Sequence, residues 1–571
     1  MCGIIGGSNP KWDYTGAVQQ MLHRGPDAQK IQRIKEMVFG FARLSIVDLN
    51  EIAMQPMVSA DGRFVIVFNG EIYDYLSLRT ELEKKGYCFK SQSDTEVLLY
   101  AFVEWREKLC EHLDGIFAFA IYDTLEEKVY LFRDRCGIKP LYYYYDGHEF
   151  AFASELDTLK TLCTDVAFEI DMTALYDYHT YLYIPEPKTM YQKVYKLPSA
   201  SYLIFNAADR RLTKPQRYWK VRLNTKAGEP VNRKKLDEKA EELRYHFENV
   251  IRRQVIADVP VGTFLSGGVD SSIVTALVKK YVKDLTAYTI GFKDKRYDES
   301  IYAREVADIL QVNCESKYFE ISDFERSYKI LPELYGEPYA DTSAYPTYFV
   351  SKFARENVTV VLTGDGGDEL FGGYPRCTLA RDILDKKRCS NRWLSQLYLR
   401  NRDFLQAMGT DLGIACREDI AVLSEWYQYS KKPNITELRK KYGIDKDYDD
   451  FWYYRKYYHK DLPPFTRLRY LDFMTYMNGD ILTKVDRASM KVSLEARVPF
   501  LDKEMIDFAF SLTQEECNPK GELKGLLKYA YENVIPRRIL DRKKQGFSIP
   551  FSYIRRGSCP QEYLIESLWK L

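Results

Sequence analysis

The chain has 571 residues, enough for several domains at roughly one per ~150 residues. Its 83 basic and 82 acidic residues leave a net charge of +1, and 46% of its residues are hydrophobic. That balance excludes an intrinsically disordered chain, and it argues against a nucleic-acid binder that works through overall basicity. No apolar run approaches the ~18–20 residues of a membrane span; the longest, such as FAFAIY at 117–122, are strand length. The start, MCGIIGGSNP, has neither the basic residues nor the long apolar stretch of a secretory signal. Eleven Cys without a CxxC pair, and only six His, point to a reducing cytoplasm with neither a disulfide framework nor a structural zinc.

In chain order, residues 1–205 are rich in short β-type runs: 37–47, 64–72, 117–123, 128–134 and 141–147. One helix is expected at 94–108, after the capping-type SDTE. Consecutive strands with few helices suggest an α+β, layered-sheet domain. Residues 206–235 are basic, contain Gly and Pro and lack periodicity, so they are expected to link two domains. From 236 the pattern changes. Residues 235–255 read as an amphipathic helix, then VPVGTFL leads through a Gly-rich turn into a helix near Ser271. Further strands are expected at 286–292 and 358–364, separated by helical stretches. This alternation predicts a parallel α/β sheet in 236–571, followed after 376 by a helical, aromatic tail that includes FWYYRKYYH at 451–459.

Chemistry first appears at Cys2. Removal of Met1 would leave a thiol and an α-amine on one residue, and an α-amine of pKa about 7.7–8.0 can serve as a base near neutrality. ARLSIVD (42–48) puts Arg43 on a strand, where it can hold a carboxylate bidentately. FNGEIYDY (68–75) carries Asn69 and Gly70, whose side-chain amide and backbone N–H can form an oxyanion hole. SDTEVLL (93–99) supplies Asp94, a carboxylate for an ammonium. Each alone has an ordinary structural meaning: a salt bridge, a hairpin turn, a helix cap. Together they match glutamine, whose amide is attacked while its two charged ends are held.

MCGIIGG, LHRGPDAQ, ARLSIVD, FNGEIYDY and SDTEVLL, in this order, resemble the class II glutamine amidotransferase domain, an N-terminal-nucleophile hydrolase. The resemblance implies an αββα sandwich with Cys2 as nucleophile and Asn69 and Gly70 as oxyanion donors. It implies that Arg43, Leu44, Ser45, Ile46, Val47, Asn69, Gly70, Glu71 and Asp94 bind glutamine.

The second chemical region is FLSGGVDSS (264–272), a Gly-rich turn between a strand and a helix. Backbone N–H groups and a helix N-terminus favour an anion there. No Gly-Lys-Ser/Thr follows, so it is not a Walker loop. Asp270 beside phosphates makes sense with Mg²⁺ between them. TGDGGDELFGGY (363–374) then offers Asp365, Asp368 and Glu369 beyond another strand, where ligands of open α/β sheets bind. LTKVDRASMKVSLEARVPFLD (482–502) and DRKKQGFSIPF (541–551) add lysines for a phosphate or an adenylate.

With these runs the resemblance extends over the whole chain: the second half is similar to the synthetase domain of glutamine-dependent asparagine synthetases, an ATP-pyrophosphatase fold. It implies that Leu265, Ile290, Thr363 and Gly364 contact ATP, and that Ser266, Gly267, Gly268, Asp270 and Ser271 hold its pyrophosphate. Asp270 and Asp368 would bind Mg²⁺, Asp365 would serve acyl-adenylate formation, and Lys544 would serve adenylation. The implied partners are L-glutamine and L-aspartate, with no nucleic acid and no membrane; a homodimer is compatible with the resemblance. The chain departs from the pattern at Thr363-Gly364-Asp365-Gly366, where some members have Ser-Gly-Glu-Gly, and at KLPSASYL, which lacks Pro-Gly. Three alternatives stand beside this reading. One is the same chemistry on another carboxylate, such as a uronic-acid sugar or a peptide. The others are an RNA-modifying adenylase, against which the neutral charge speaks, and a non-catalytic scaffold, against which the intact Cys2, Arg43, Asp270 and Asp368 speak.

Overall fold

The computed structural model describes residues 2–226, 228–327, 330–375, 377 and 435–542. The N-terminal half stacks two antiparallel sheets face to face. One runs in the order 194–196, 142–145, 150–153, 3–7, 37–43 and 28–34. The other runs in the order 211–212, 201–206, 128–133, 115–123, 64–72 and 57–58, with 216–217 also paired to 201–206. The second sheet therefore runs on into the segment after 206, expected from its composition to be a linker.

Alternation along each strand explains the layering, because successive side chains point to opposite faces. In Phe64–Ile72, Val65 and Val67 pack between the sheets against Ile4, Phe39 and Phe41. Phe64, Ile66 and Phe68 face the other way, onto Val97, Leu98 and Phe102 of the helix Asp94–Trp105. On the far side, Ile5 and Val38 pack against Val18 and Leu159 of the helices Tyr14–Gln20 and Leu156–Leu162. The central strands are covered on both faces and read as nearly continuous apolar runs, whereas the edge strand 28–34 (AQKIQRI) is largely exposed. The result is the αββα sandwich expected from the resemblance.

Helix Arg233–Gln254 leads into the second half. Its five-stranded sheet is parallel throughout, in the order 313–319, 286–292, 261–264, 360–362 and 495–497. Chain order reverses between 261–264 and 360–362, which is where ligands of such sheets bind. The loops leaving these two strands are 265–268 and 363–366, the two Gly-rich runs singled out above. Residues 464–490 form one helical rod whose middle, Phe473–Leu482, is π-helical, a rare geometry found mostly at functional sites. Among the described residues no helix is long and apolar enough to cross a membrane.

The halves meet through buried charge. Arg24, fully buried, donates to Asp486 at 2.9 Å and to Glu155 at 3.0 Å, and its Nε donates to the Cys2 carbonyl at 3.2 Å. Arg487 pairs with Glu155 at 2.8 Å, and Lys139 with Asp486 at 3.4 Å. Buried ions demand partners of this quality. A small cavity lies at this seam, lined by Ile138, Tyr142, Glu186, Asn478, Asp486 and Arg487, among others.

Candidate functional site

Cys2 immediately precedes the strand Gly3–Gly7 of the first sheet and is buried, with Sγ 3.8 Å from the Leu44 carbonyl. Burial pushes its thiol above the usual value, and the N-terminal charge, the Leu44 contact and Arg43 pull it back. The group is therefore protonated at neutral pH and needs a base to attack. The Cys2 nitrogen donates to Asn69 Oδ1 at 3.0 Å. That bond fixes which way the amide faces: Asn69 Nδ2 points away, fully buried, and finds no acceptor among the described residues. A buried donor without a partner costs free energy unless something fills it. An oxyanion formed beside Cys2 would.

Asn69 and Gly70 lie within the strand Phe64–Ile72, not at its end as the turn-like Asn-Gly suggests. Gly70 is required by close approach: a Cβ there would stand 2.1 Å from the Ile116 carbonyl of the neighbouring strand. Asp94 opens its helix, capped by Ser93, and its Oδ2 accepts from the Ile72 N–H at 3.0 Å. Burial raises its carboxyl to about 6 despite that bond. Arg43 ends its strand, and two of its five guanidinium N–H groups are held by backbone, donating to the carbonyls of Asp48 at 2.5 Å and Asn50 at 2.9 Å.

These groups surround one pocket, lined by Cys2, Arg43, Leu44, Ser45, Ile46, Val47, Gly70, Glu71 and Asp94 with Gln55, Phe68 and Thr95. Every N-terminal residue picked from the sequence lies on it or, like Asn69, directly behind it. Glu71 departs from its simplest role. Arg497 of the second half stands between two carboxylates, 2.6 Å from Glu495 and 3.5 Å from Glu71. One guanidinium neutralises the nearer: Glu495 stays ionised, while burial and Asp94 push Glu71 well above the carboxylate range.

In the second half the two Gly-rich loops touch. A Cβ on Gly364 would stand 2.8 Å from the Ser271 nitrogen, and one on Gly367 would stand 2.6 Å from the Asp270 carboxylate. Gly267 and Gly366 take φ of +70° and +91°, the left-handed region that only glycine enters freely. Ser266 and Ser271 hydroxyls lie 3.1 Å apart, and the Gly268 N–H donates to Ser266 Oγ at 3.3 Å, closing the first turn. Thr363 Oγ1 donates to Asp365 Oδ2 at 2.8 Å. Leu265 and Ile290 are buried where their strands end or pass beneath the loops. Lys544 lies outside the described residues.

Sequence reasoning passed over Lys524. Its ammonium sits between Asp270 and Asp368, hydrogen-bonded to the first and 2.7 Å from the second. Lys524 takes φ +56°, an uncommon backbone for a lysine. No local pattern marks it. Lys484, from the run LTKVDRASMK, bonds Ser343 Oγ at 2.9 Å and Asp341 at 3.2 Å and feels Asp365 and Asp480. The arrangement can hold polyanionic phosphates on backbone N–H groups and cations, with carboxylates at their edge.

The chain matches the family model described as Asparagine synthase over residues 242–568, and that described as Glutamine amidotransferase domain over residues 1–219. It is 34% identical over 578 residues to glutamine-hydrolyzing asparagine synthetase 1 of Bacillus subtilis, spanning 97% of this chain and 88% of that protein. It is 32% identical over 596 residues to a putative glutamine-hydrolyzing asparagine synthetase of Mycobacterium tuberculosis, spanning 98% and 89%. A putative relative of the same description from Methanocaldococcus jannaschii is 36% identical over 401 residues, spanning 66% and 76%.

Proposed function

This chain belongs to the asparagine synthase family, and from that premise we propose that it moves the amide nitrogen of glutamine onto the side-chain carboxylate of aspartate, driven by cleavage of ATP to AMP and pyrophosphate. The observation that carries this reading is the pairing, in one chain, of a buried Cys2 pocket with two Gly-rich loops at the sheet's switch point.

In the N-terminal unit, which we place at 1–205 with 206–235 first completing its second sheet at 211–217 and then connecting it to 236–571, glutamine enters with its carboxylate toward Arg43 and its ammonium toward Asp94. Freed of Met1, the Cys2 α-amine takes the thiol proton. Sulfur attacks the side-chain carboxamide, and the oxyanion is met by Asn69 Nδ2 and the Gly70 N–H. The tetrahedral intermediate expels ammonia, leaving a thioester that water cleaves to glutamate. Ser45, Ile46 and Val47, with Leu44, wall the pocket.

In the second unit, ATP lies across Leu265–Ser271 and Thr363–Gly364, with Ile290 beneath. Asp270 and Asp368 would hold Mg²⁺. They already share one cation, the Lys524 ammonium, and Mg²⁺ sites of this kind use one or two carboxylates plus substrate phosphates. The ion, when bound, offsets phosphate charge. Aspartate presents its β-carboxylate beside Asp365; it attacks the α-phosphorus and pyrophosphate leaves. Lys544, assigned by resemblance, steadies the phosphoryl charge. Ammonia then attacks the acyl carbon of β-aspartyl-AMP, and AMP leaves with asparagine. Ammonia must arrive unprotonated, and the cavity at the seam draws its lining from both halves.

The test is pyrophosphate release with Mg²⁺, ATP and glutamine, with L-aspartate in one arm and uronic acids and other carboxylates in the other. Aspartate should drive AMP, pyrophosphate and asparagine formation, and Cys2→Ala should retain only ammonia-supported synthesis. Inert aspartate with intact Cys2-dependent glutamine hydrolysis would move the acceptor to another carboxylate.

A further inference from the structure

Two side chains of the nucleotide-binding half hold the walls of the glutamine pocket. The first is Asp258, three residues before the strand Val261–Phe264 that delivers Leu265–Ser271. Its Oδ2 accepts from the Asp48 N–H at 2.8 Å, and its own N–H donates to the Ile46 carbonyl at 2.9 Å. Asp48 has φ +53°, a conformation a non-glycine residue keeps only when its surroundings hold it. Its carbonyl in turn accepts from Arg43 Nη2 at 2.5 Å. The orientation of the Arg43 guanidinium thus depends on a strained turn that Asp258 closes from the other half of the molecule. Around it, Leu44 and Ile46 pack on Val360 and Met490.

The second is Arg497. Its side chain, fully buried, reaches Glu71 at 3.5 Å, next to Gly70. Its carbonyl accepts from the Thr363 N–H at 2.9 Å, where the second Gly-rich loop begins. The strand 495–497 therefore contacts Glu71, a wall residue of the Cys2 pocket, with a side chain and the second Gly-rich loop with its backbone.

We propose that Asp258 and Arg497 are positioning residues through which the nucleotide-binding half sets the shape of the glutamine pocket, so that glutamine affinity and the yield of product per glutamine depend on side chains outside the amidotransferase sandwich. This rests on the reading of the Cys2 pocket as a glutaminase. Neither residue lines the pocket; both act through Asp48–Arg43 and Glu71–Gly70. The route is physical: Asp258 acts through two hydrogen bonds and Arg497 through a 3.5 Å guanidinium–carboxyl contact, each beside or on a strand that leads into a nucleotide loop.

The test uses the full chain. Asp258 is exposed, so Asp258→Ala spares the core. Losing one hydrogen bond to a strained turn should raise KM for glutamine about ten-fold with kcat within about two-fold. Ammonia-supported pyrophosphate release should stay within about two-fold, and Asp258→Asn, which keeps an acceptor oxygen, should restore most of the KM. Arg497→Lys, checked for native circular dichroism, should raise glutamate formed per pyrophosphate about three-fold or more, since lysine lacks the forked reach to both carboxylates. An unchanged glutamine KM in Asp258→Ala, an equal fall in its ammonia-supported rate, or an unchanged ratio in folded Arg497→Lys overturns the proposal. A wild-type chain that hydrolyses no glutamine overturns the glutaminase reading and the proposal with it.

Discussion

The two sites are built on opposite plans. In the Cys2 pocket, the polar groups are tied to backbone: Arg43 to the Asp48 and Asn50 carbonyls, Asp94 to the Ile72 N–H, Asn69 to the Cys2 nitrogen. Each tie leaves the functional end of the side chain in place before substrate arrives. In the nucleotide site, charges are tied to one another: Lys524 to Asp270 and Asp368, Lys484 to Asp341. Those pairs must open when phosphates and a carboxylic acid enter. The first site is preorganised, and its mutants should lose transition-state stabilisation. The second exchanges ion pairs for ligand, and its mutants should lose nucleotide handling.

The largest expected effect separates the plans outright. Cys2→Ala removes the only sulfur among the described residues that line the pocket and should cut glutamine-dependent synthesis by about 10³-fold or more while ammonia-supported synthesis continues; a parallel loss of both rates would mean the sites are not separable. Next, Asn69→Ala deletes the buried, unpartnered donor proposed to meet the oxyanion and should lower glutaminase kcat by about 10²–10³-fold with little change in KM. A rise in KM alone would place Asn69 in ground-state binding instead.

On the nucleotide side, Asp368→Asn should reduce pyrophosphate release by about 10²-fold, the scale on which loss of a charge clamp acts on phosphoryl chemistry. Basal glutamine hydrolysis should persist. Equal damage to both activities would indicate a collapsed interface.

The smallest effect is a pH dependence. Burial lifts Asp94 to about 6, and its ionised form is the one that holds an ammonium. KM for glutamine should therefore rise as pH falls below about 6 and be flat above it, measured on the glutaminase reaction alone. For the fold the sign is reversed. A carboxyl raised above its unfolded value of about 3.9 costs stability as pH rises from that value to about 6, and no further beyond. A glutamine KM that is level from pH 5 to 8 would remove Asp94 from ammonium recognition.

Much of this was legible in the sequence, because local chemistry forced it. The strands 64–72 and 286–292 were bounded as they stand by their apolar runs. Gly267, Gly364 and Gly366 announced tight loops, since a side chain at any of them meets backbone or strain. Arg43, Asn69 and Asp94 were visible as residue types that jointly fit glutamine, and the structure gathers them around Cys2. What stayed hidden depends on distant chain. Lys524 is 254 residues from Asp270 and sits in no motif. Asp258 looks like a loop residue until the Asp48 turn is seen against it. Arg497 was part of a recognised run, LEARVPFLD, yet nothing in that run says that its side chain crosses into the other half.

The measurement that bears most directly on the account follows glutamine labelled at its amide nitrogen through a single reaction with aspartate and Mg²⁺-ATP, in the presence of unlabelled ammonium. The account predicts label in the side-chain amide of asparagine, with glutamate, AMP and pyrophosphate formed in step. Label released as free ammonium, with glutamate accumulating and no AMP formed, would contradict it.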